Sequence, residues 1–211
     1  MKTQAARLLF ALFILMTIFF SFLMLIKTLP YFSFRYDVDL LLTKQSVLHH
    51  FYWRAAFYTH ISFSLIVLLT GGFQFSRFLI FQKPKIHRIL GKIYVILVLF
   101  ICAPSGLVMA LHANGGFWAR LSFLLTAILW WLFTFLAYRR VIQKDLRKHL
   151  AFMYRSYALT LSAISLRLLV MALPYFCDLH GKEMYVTVAW LSWIPNLLIA
   201  EFMIKWQTLL K

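Results

Sequence analysis

His87-Arg88-Ile89-Leu90-Gly91-Lys92-Ile93-Tyr94-Val95-Ile96-Leu97-Val98-Leu99-Phe100-Ile101-Cys102-Ala103-Pro104-Ser105-Gly106-Leu107-Val108-Met109-Ala110-Leu111-His112 is the stretch that decides the fold. From Ile89 to Leu111 its only charge is Lys92, and about 20 apolar residues in a row cross a bilayer as a helix. A histidine stands at each end.

Similar runs lie on both sides of it. They place spans at about 8–29, 55–81, 89–111, 117–138, 150–174 and 184–204. The expected fold is therefore all-α, a polytopic bundle of six transmembrane helices forming one domain over residues 1–211. Hydrophobic residues make up 63% of the chain and charged ones 13%, against the quarter charged of a soluble domain. Only residues 30–54 make a sizeable connection. There Asp37 and Asp39 read as helix-start residues, and Tyr52 and Trp53 as aromatics at headgroup depth, so an interfacial helix is expected.

The net charge of +16 belongs to topology rather than to nucleic acid. Fourteen Lys and Arg fall on the side of the N-terminus, the loops 77–92 and 139–148 and the C-terminal tail; six fall on the opposite side. That bias puts both termini in the cytoplasm, and the bacterial cytoplasmic (inner) membrane is the expected location. The first run follows Lys2 and Arg7 as a signal peptide would, but it is long and lacks a small-residue cleavage pattern, so it reads as an uncleaved span. Cys102 and Cys177 fall at different depths, which speaks against a disulfide, and neither spacing resembles a zinc motif.

Polar residues fall in stripes. A helix turns 100° per residue, so residues 18 apart share a face. His87 and Ser105 are so related, with Tyr94 and His112 close to that face. His149 and Arg167 are too, with Met153, Ser156, Thr160 and Ala163 between them; His60, Ser64, Gly71 and Gln74 line the second span. Lipid offers such groups no partners, so the stripes should face inward. His87 and His112 are about 37 Å apart along their helix, too far for one site. Two sites follow, His60 with His112 near the outer face and His87 with His149 near the inner one. Opposed imidazoles in an apolar bundle are what a bis-histidine haem requires, with His60, His112, His87 and His149 as iron ligands. A structural reading competes, in which histidines at span ends cap carbonyls or pair with acids. His49, His50 and His180 read as interfacial side chains that meet water.

Within the fifth span Arg155 and Arg167 need partners. Glu201 is the acid at Arg155's depth, so a structural ion pair is expected. Arg167 has none, which leaves Asn196, backbone carbonyls, or an anion such as a haem propionate or a substrate carboxylate. Gly71, Gly72 and Gly91 allow either close helix contact or room for a flat cofactor.

The segments Thr59-His60, Gly71-Gly72-Phe73-Gln74-Phe75, Ile86-His87-Arg88-Ile89-Leu90-Gly91-Lys92-Ile93-Tyr94 and Lys148-His149-Leu150-Ala151-Phe152-Met153-Tyr154-Arg155-Ser156-Tyr157, followed by Arg167, resemble the bacterial membrane family DUF2306, over about residues 55–205. That resemblance implies an architecture and no activity. A looser one is to transmembrane two-haem b-type cytochromes, which imply one or two haem b groups and electron transfer. The chain departs from them in having no histidine in its fourth span, and His49 or His50 is a possible substitute ligand.

The expected function is a haem-binding membrane protein, a candidate oxidoreductase component, that carries electrons across or along the membrane. Tyr94, Trp130 and Trp131 would line its interior, Arg167 would neutralise a propionate or oxidant, and a quinone or redox protein would be the partner. The rivals are a small transporter or proton-linked channel lined by the same stripes, and a non-catalytic assembly or anchoring subunit. Nothing supports hydrolytic or phosphoryl-transfer chemistry.

Overall fold

The computed structural model describes residues 2–209, and the described part is all-α. Its helices are α1 (Lys2–Thr28), α2 (Phe51–Phe73), α3 (Arg77–Phe81), α4 (Pro84–Leu97), α5 (Ala103–Leu111), α6 (Phe117–Ile142), α7 (Leu146–Phe176), α8 (Gly181–Leu191) and α9 (Ile194–Leu209). One turn of π-helix, Val98–Cys102, joins α4 to α5. Six segments are long and apolar enough to cross a membrane: Leu8–Ser33, Phe51–Phe73, Pro84–Leu111, Phe117–Ile142, Leu146–Phe176 and Gly181–Trp206.

Two boundaries differ from expectation because local capping overrides hydropathy. The second span stops at Phe73 rather than near residue 81, and Ser76 Oγ, accepting from Leu79 N at 3.4 Å, starts the short α3. The third span begins earlier, at Pro84, a residue whose fixed φ and missing N–H suit a first helical turn. His87 therefore sits inside the helix.

Helix α2 packs on α4 and α5, α5 on α6, α6 on α7, and α7 back on α2. The second to fifth spans thus close a ring of four, with α1 outside against α2 and with α8 and α9 against α7. In such a ring the third and fifth spans face each other across the diagonal. Six crossings leave both chain ends at one face, called here the terminal face; the other is the far face.

The axis of the ring is filled at mid-depth. Tyr94, fully buried, brings its hydroxyl within 2.7 Å of Ser156 Oγ and 2.9 Å of Thr160 Oγ1. Thr134 Oγ1 lies 2.7 Å from Ser156 Oγ, and Trp130 Nε1 donates to Thr160 Oγ1 at 3.0 Å. Every polar atom in this cluster has a partner, as burial in an apolar medium demands. Gly71 makes the close packing possible, since a Cβ there would stand 2.6 Å from ring atoms of both Tyr157 and Tyr94. Trp130 is interior, as the sequence suggested, but Trp131 is 40% exposed and only its Nε1 reaches inward, to Leu99 O at 3.1 Å.

Pro104 explains the π turn. It cannot donate to the carbonyl four residues back, and a wider turn accommodates the loss. The carbonyls of that turn find side chains instead: Leu99 O takes Trp131, Ile101 O takes Ser105 at 2.6 Å, and Cys102 O takes His60 at 3.0 Å. The extra residue rotates everything beyond it by about 100°. Tyr94 consequently faces the fifth span while Ser105 faces the second, and the expected single stripe from His87 to His112 is broken.

Residues 30–54 do not form an interfacial α-helix. They make two 3-10 turns, Leu29–Ser33 and Asp39–Lys44, and fold back on the start of α2. Leu41, Leu48, Trp53 and Phe57 bury one another there, with Met109 beside them. Trp53 is only 1% exposed, so it belongs to this small core and not to the headgroup layer. Asp37 is held by Arg35 at 2.6 Å, and Asp39 makes no side-chain cap.

Candidate functional site

The terminal end of the ring gathers His87 and His149 from the two diagonal spans. Each lies in the first turns of its helix, α4 beginning at Pro84 and α7 capped by Asp145, whose carboxylate accepts from Lys148 N at 3.1 Å. The two imidazoles lie within electrostatic reach of each other. His149 Nδ1 is 2.9 Å from Ala137 O. A carbonyl can only accept, so this nitrogen carries the proton and Nε2 of the neutral ring keeps its lone pair. His87 Nδ1 is buried without a hydrogen-bond partner, and so is the Nε2 amide of Gln74. Gly91, one turn beyond His87, accommodates Gln74: a Cβ there would stand 2.9 Å from Gln74 Oε1. Two orphaned polar atoms and one free ring lone pair beside a glycine make this end chemically unfinished.

The far end is arranged differently. His60 donates Nδ1–H to Cys102 O at 3.0 Å, with Ser105 Oγ at 3.2 Å, and its ring lies against Gly106, where a Cβ would be 3.2 Å from Cε1. His112 lies six residues further out, about 9 Å along the helix, and its Nε2 meets Tyr52 Oη at 3.1 Å. The structure does not bring these two imidazoles to one depth. Burial, then the nearby Arg120 and Lys44 cations, hold the His112 imidazole below its ordinary pKa. His49 and His50 are exposed, and His50 stacks on Tyr52. His180 is exposed beside Asp178, 3.3 Å away.

Arg155 and Glu201 meet in a two-pronged ion pair, Nε to Oε1 at 2.5 Å and Nη2 to Oε2 at 2.9 Å. Arg167 has no acid near it: Nη1 donates to Ala163 O at 2.8 Å, and no salt bridge includes it among the described residues. Asn196 does not serve it, being bonded to Ser165, Ala158 O and Ser192 O. Cys102 is buried and Cys177 exposed, both free. Among the described residues no group of three or more His, Cys, Asp and Glu could hold a metal ion.

Sequence reasoning missed Lys44. It is 5% exposed, and its Nζ donates to His112 O at 2.5 Å and Asn114 Oδ1 at 2.6 Å, with no ion pair among the described residues. Burial, then Arg120, lowers its pKa to about 8. Nothing in the spacing of residues 37–53 distinguishes it from any loop lysine. The sequence places Gln74 on the stripe of the second span and offers Gly91 only as a small residue for close helix contact or a flat cofactor, so their pairing was not legible.

The family model for the predicted membrane proteins DUF2306 matches residues 57–204, well over half of the chain. No curated protein and no solved structure matches it.

Proposed function

We propose that this chain, which belongs to the DUF2306 family of predicted membrane proteins, binds one haem b at the terminal end of its helix ring and serves there as a one-electron carrier. The observation that carries the reading is the diagonal placement of His87 and His149, with a free lone pair on one ring and an unpartnered nitrogen on the other. Haem, when bound, would supply a one-electron couple. The chain's own residues would do the rest. His87 and His149 would each offer a neutral ring nitrogen, and Ala137 O fixes the tautomer and orientation of His149, the usual service of a carbonyl behind a histidine ligand. The orphaned amide of Gln74 is a donor for a group placed beside His87. Tyr94 and Trp130 close the ring above this end, so water cannot approach from mid-membrane.

The offset between His60 and His112 supports one haem rather than two, and electron exchange at one face, with a quinone in the bilayer or a redox protein. A transport reading draws on the unpaired Arg167, but the satisfied cluster around Tyr94 fills the axis that a pathway would use. The test is the haem content of protein purified from haem-supplemented cells. One haem per chain is expected, lost in His87→Ala and His149→Ala and kept in His60→Ala and His112→Ala. Retention of haem in the first two variants would refute the assignment.

A further inference from the structure

The far face holds an open cleft of about 500 Å³, lined by Asn114, Gly115, Gly116, Gly181, Lys182 and Tyr185. Small-molecule sites have volumes of this order. One wall is the tight loop from α5 to α6, and the other is the start of α8. Gly115 and Gly116 hold φ of +83° and +79°, which L side chains rarely adopt, and both let α8 come onto the loop backbone. A Cβ on Gly115 would stand 2.8 Å from Tyr185 Cδ1, and one on Gly116 would stand 3.1 Å from Lys182 Cε and 3.4 Å from its Nζ. The Lys182 ammonium therefore lies over peptide backbone that carries no side chain.

Acceptors and donors around this cleft are unbalanced. Three carbonyls of the loop are taken: Lys44 Nζ donates to His112 O, Arg120 Nε to Ala113 O at 3.3 Å, and Arg120 N to Gly116 O at 3.1 Å. The Asn114 amide is taken as well, its Oδ1 accepting from Lys44 and its Nδ2 donating to Thr43 Oγ1 at 2.9 Å. The N–H groups of Gly115 and Gly116 and the Lys182 ammonium have no hydrogen-bond partner among the described residues. Lys182 carries the only charge in the lining and makes no ion pair among the described residues. Glu183 follows it in α8, and adjacent residues of a helix do not face each other. Asp178 lies against His180 instead. Behind the loop, Lys44 and Arg120 add two more cations.

We propose that this cleft binds a small organic acid, its carboxylate on Lys182 and the glycine N–H groups and its body along the ring of Tyr185. One carboxylate balances one ammonium, and its two oxygens have lone pairs enough for all three free donors. A bare anion would leave most of the cleft empty, whereas Tyr185 offers aromatic surface to an organic group. This site goes beyond the haem assignment and does not depend on it, since it uses the opposite end of the bundle and neither His87 nor His149.

The experiment is thermal unfolding of the full chain in phosphatidylcholine nanodiscs, at constant ionic strength. Benzoate is the probe. Benzamide supplies the same ring without the charge, and inorganic phosphate supplies charge without the ring. The midpoint should rise saturably with benzoate, stay flat with benzamide, and rise less with phosphate. Lys182 is exposed, so Lys182→Gln should fold as the unaltered chain does. It should weaken the apparent affinity for benzoate by about tenfold, the loss of one charge-assisted contact. Arg77→Gln, which removes an exposed cation of the terminal face, should leave that affinity unchanged. No saturable rise with benzoate, an equal rise with benzamide, or an undiminished affinity in Lys182→Gln would overturn the proposal. An equal loss in Arg77→Gln would overturn it too, by showing an effect of overall charge, and an equal response to phosphate would overturn the choice of an organic acid.

Discussion

Arg155 on α7 and Glu201 on α9 join through two parallel hydrogen bonds of 2.5 and 2.9 Å, which tie the last span to the ring. Arg155 also lies over the ring of Phe152, 5.2 Å from its centroid. Where the accessible side of such a pair meets hydrocarbon rather than water, it behaves as a buried pair. Removing either partner then strands the other, at a cost of about 3–5 kcal/mol. Arg155→Ala and Glu201→Ala should each lower the unfolding midpoint, and the double variant should recover part of the loss. Strictly additive losses would show that the pair contributes no coupling.

The uneven spread of basic residues predicts an orientation for the bundle, with the terminal face toward the cytoplasm. Reporter fusions after Gly115 and Gly181 should read outside the cytoplasm, and one after Lys144 inside. An inside reading at Gly115 would reverse the two faces.

Close packing at the axis makes Gly71 sensitive. A methyl group there would press on Tyr157 and Tyr94 at 2.6 Å. Gly71→Ala should cost about 1–3 kcal/mol, the usual range for overpacking. Tyr94→Phe removes the hydroxyl shared by Ser156 and Thr160 and should cost about as much, through the polar atoms it leaves unpaired. Thermal unfolding in detergent measures both, and an unchanged midpoint in either would contradict the packing described.

Lys44 gives a pH dependence with a definite sign. Its pKa falls from 10.5 in the open chain to about 8 in the fold. Between those values the unfolded chain binds the extra proton, so stability from this group rises with pH, and it is lost again as pH falls through about 8. Relative to Lys44→Met, the unaltered protein should gain up to about 3 kcal/mol between pH 7 and pH 10.5. A difference that stays flat or falls would show that Lys44 is not held as described.

Much of the fold was legible because membrane spans are read by length and apolarity alone, and the ring needs only those spans and short loops. Arg155 and Glu201 were legible as a pair for a similar reason: with six acids in the chain, a charge inside a span has few choices. The face of each residue along the third span was not. Pro104 signals a disturbance there, but whether a helix answers with a kink or with a π turn depends on the partners its freed carbonyls find. Here Trp131, Ser105 and His60 supply them, from three different spans. The fold of residues 30–54 was hidden too, because apolar residues that bury one another read like apolar residues that face lipid.

The central claim is a bis-histidine haem site between His87 and His149, and titration of the purified, haem-free protein with hemin in detergent tests it most directly. The account predicts uptake that saturates at one equivalent, with the low-spin, six-coordinate spectrum of a bis-imidazole b-type haem. His149→Ala and His87→Ala should each lose that spectrum, and His60→Ala and His112→Ala should retain it. A well-folded protein that takes up no hemin saturably, or a double variant lacking both His87 and His149 that still yields the same spectrum, would contradict it.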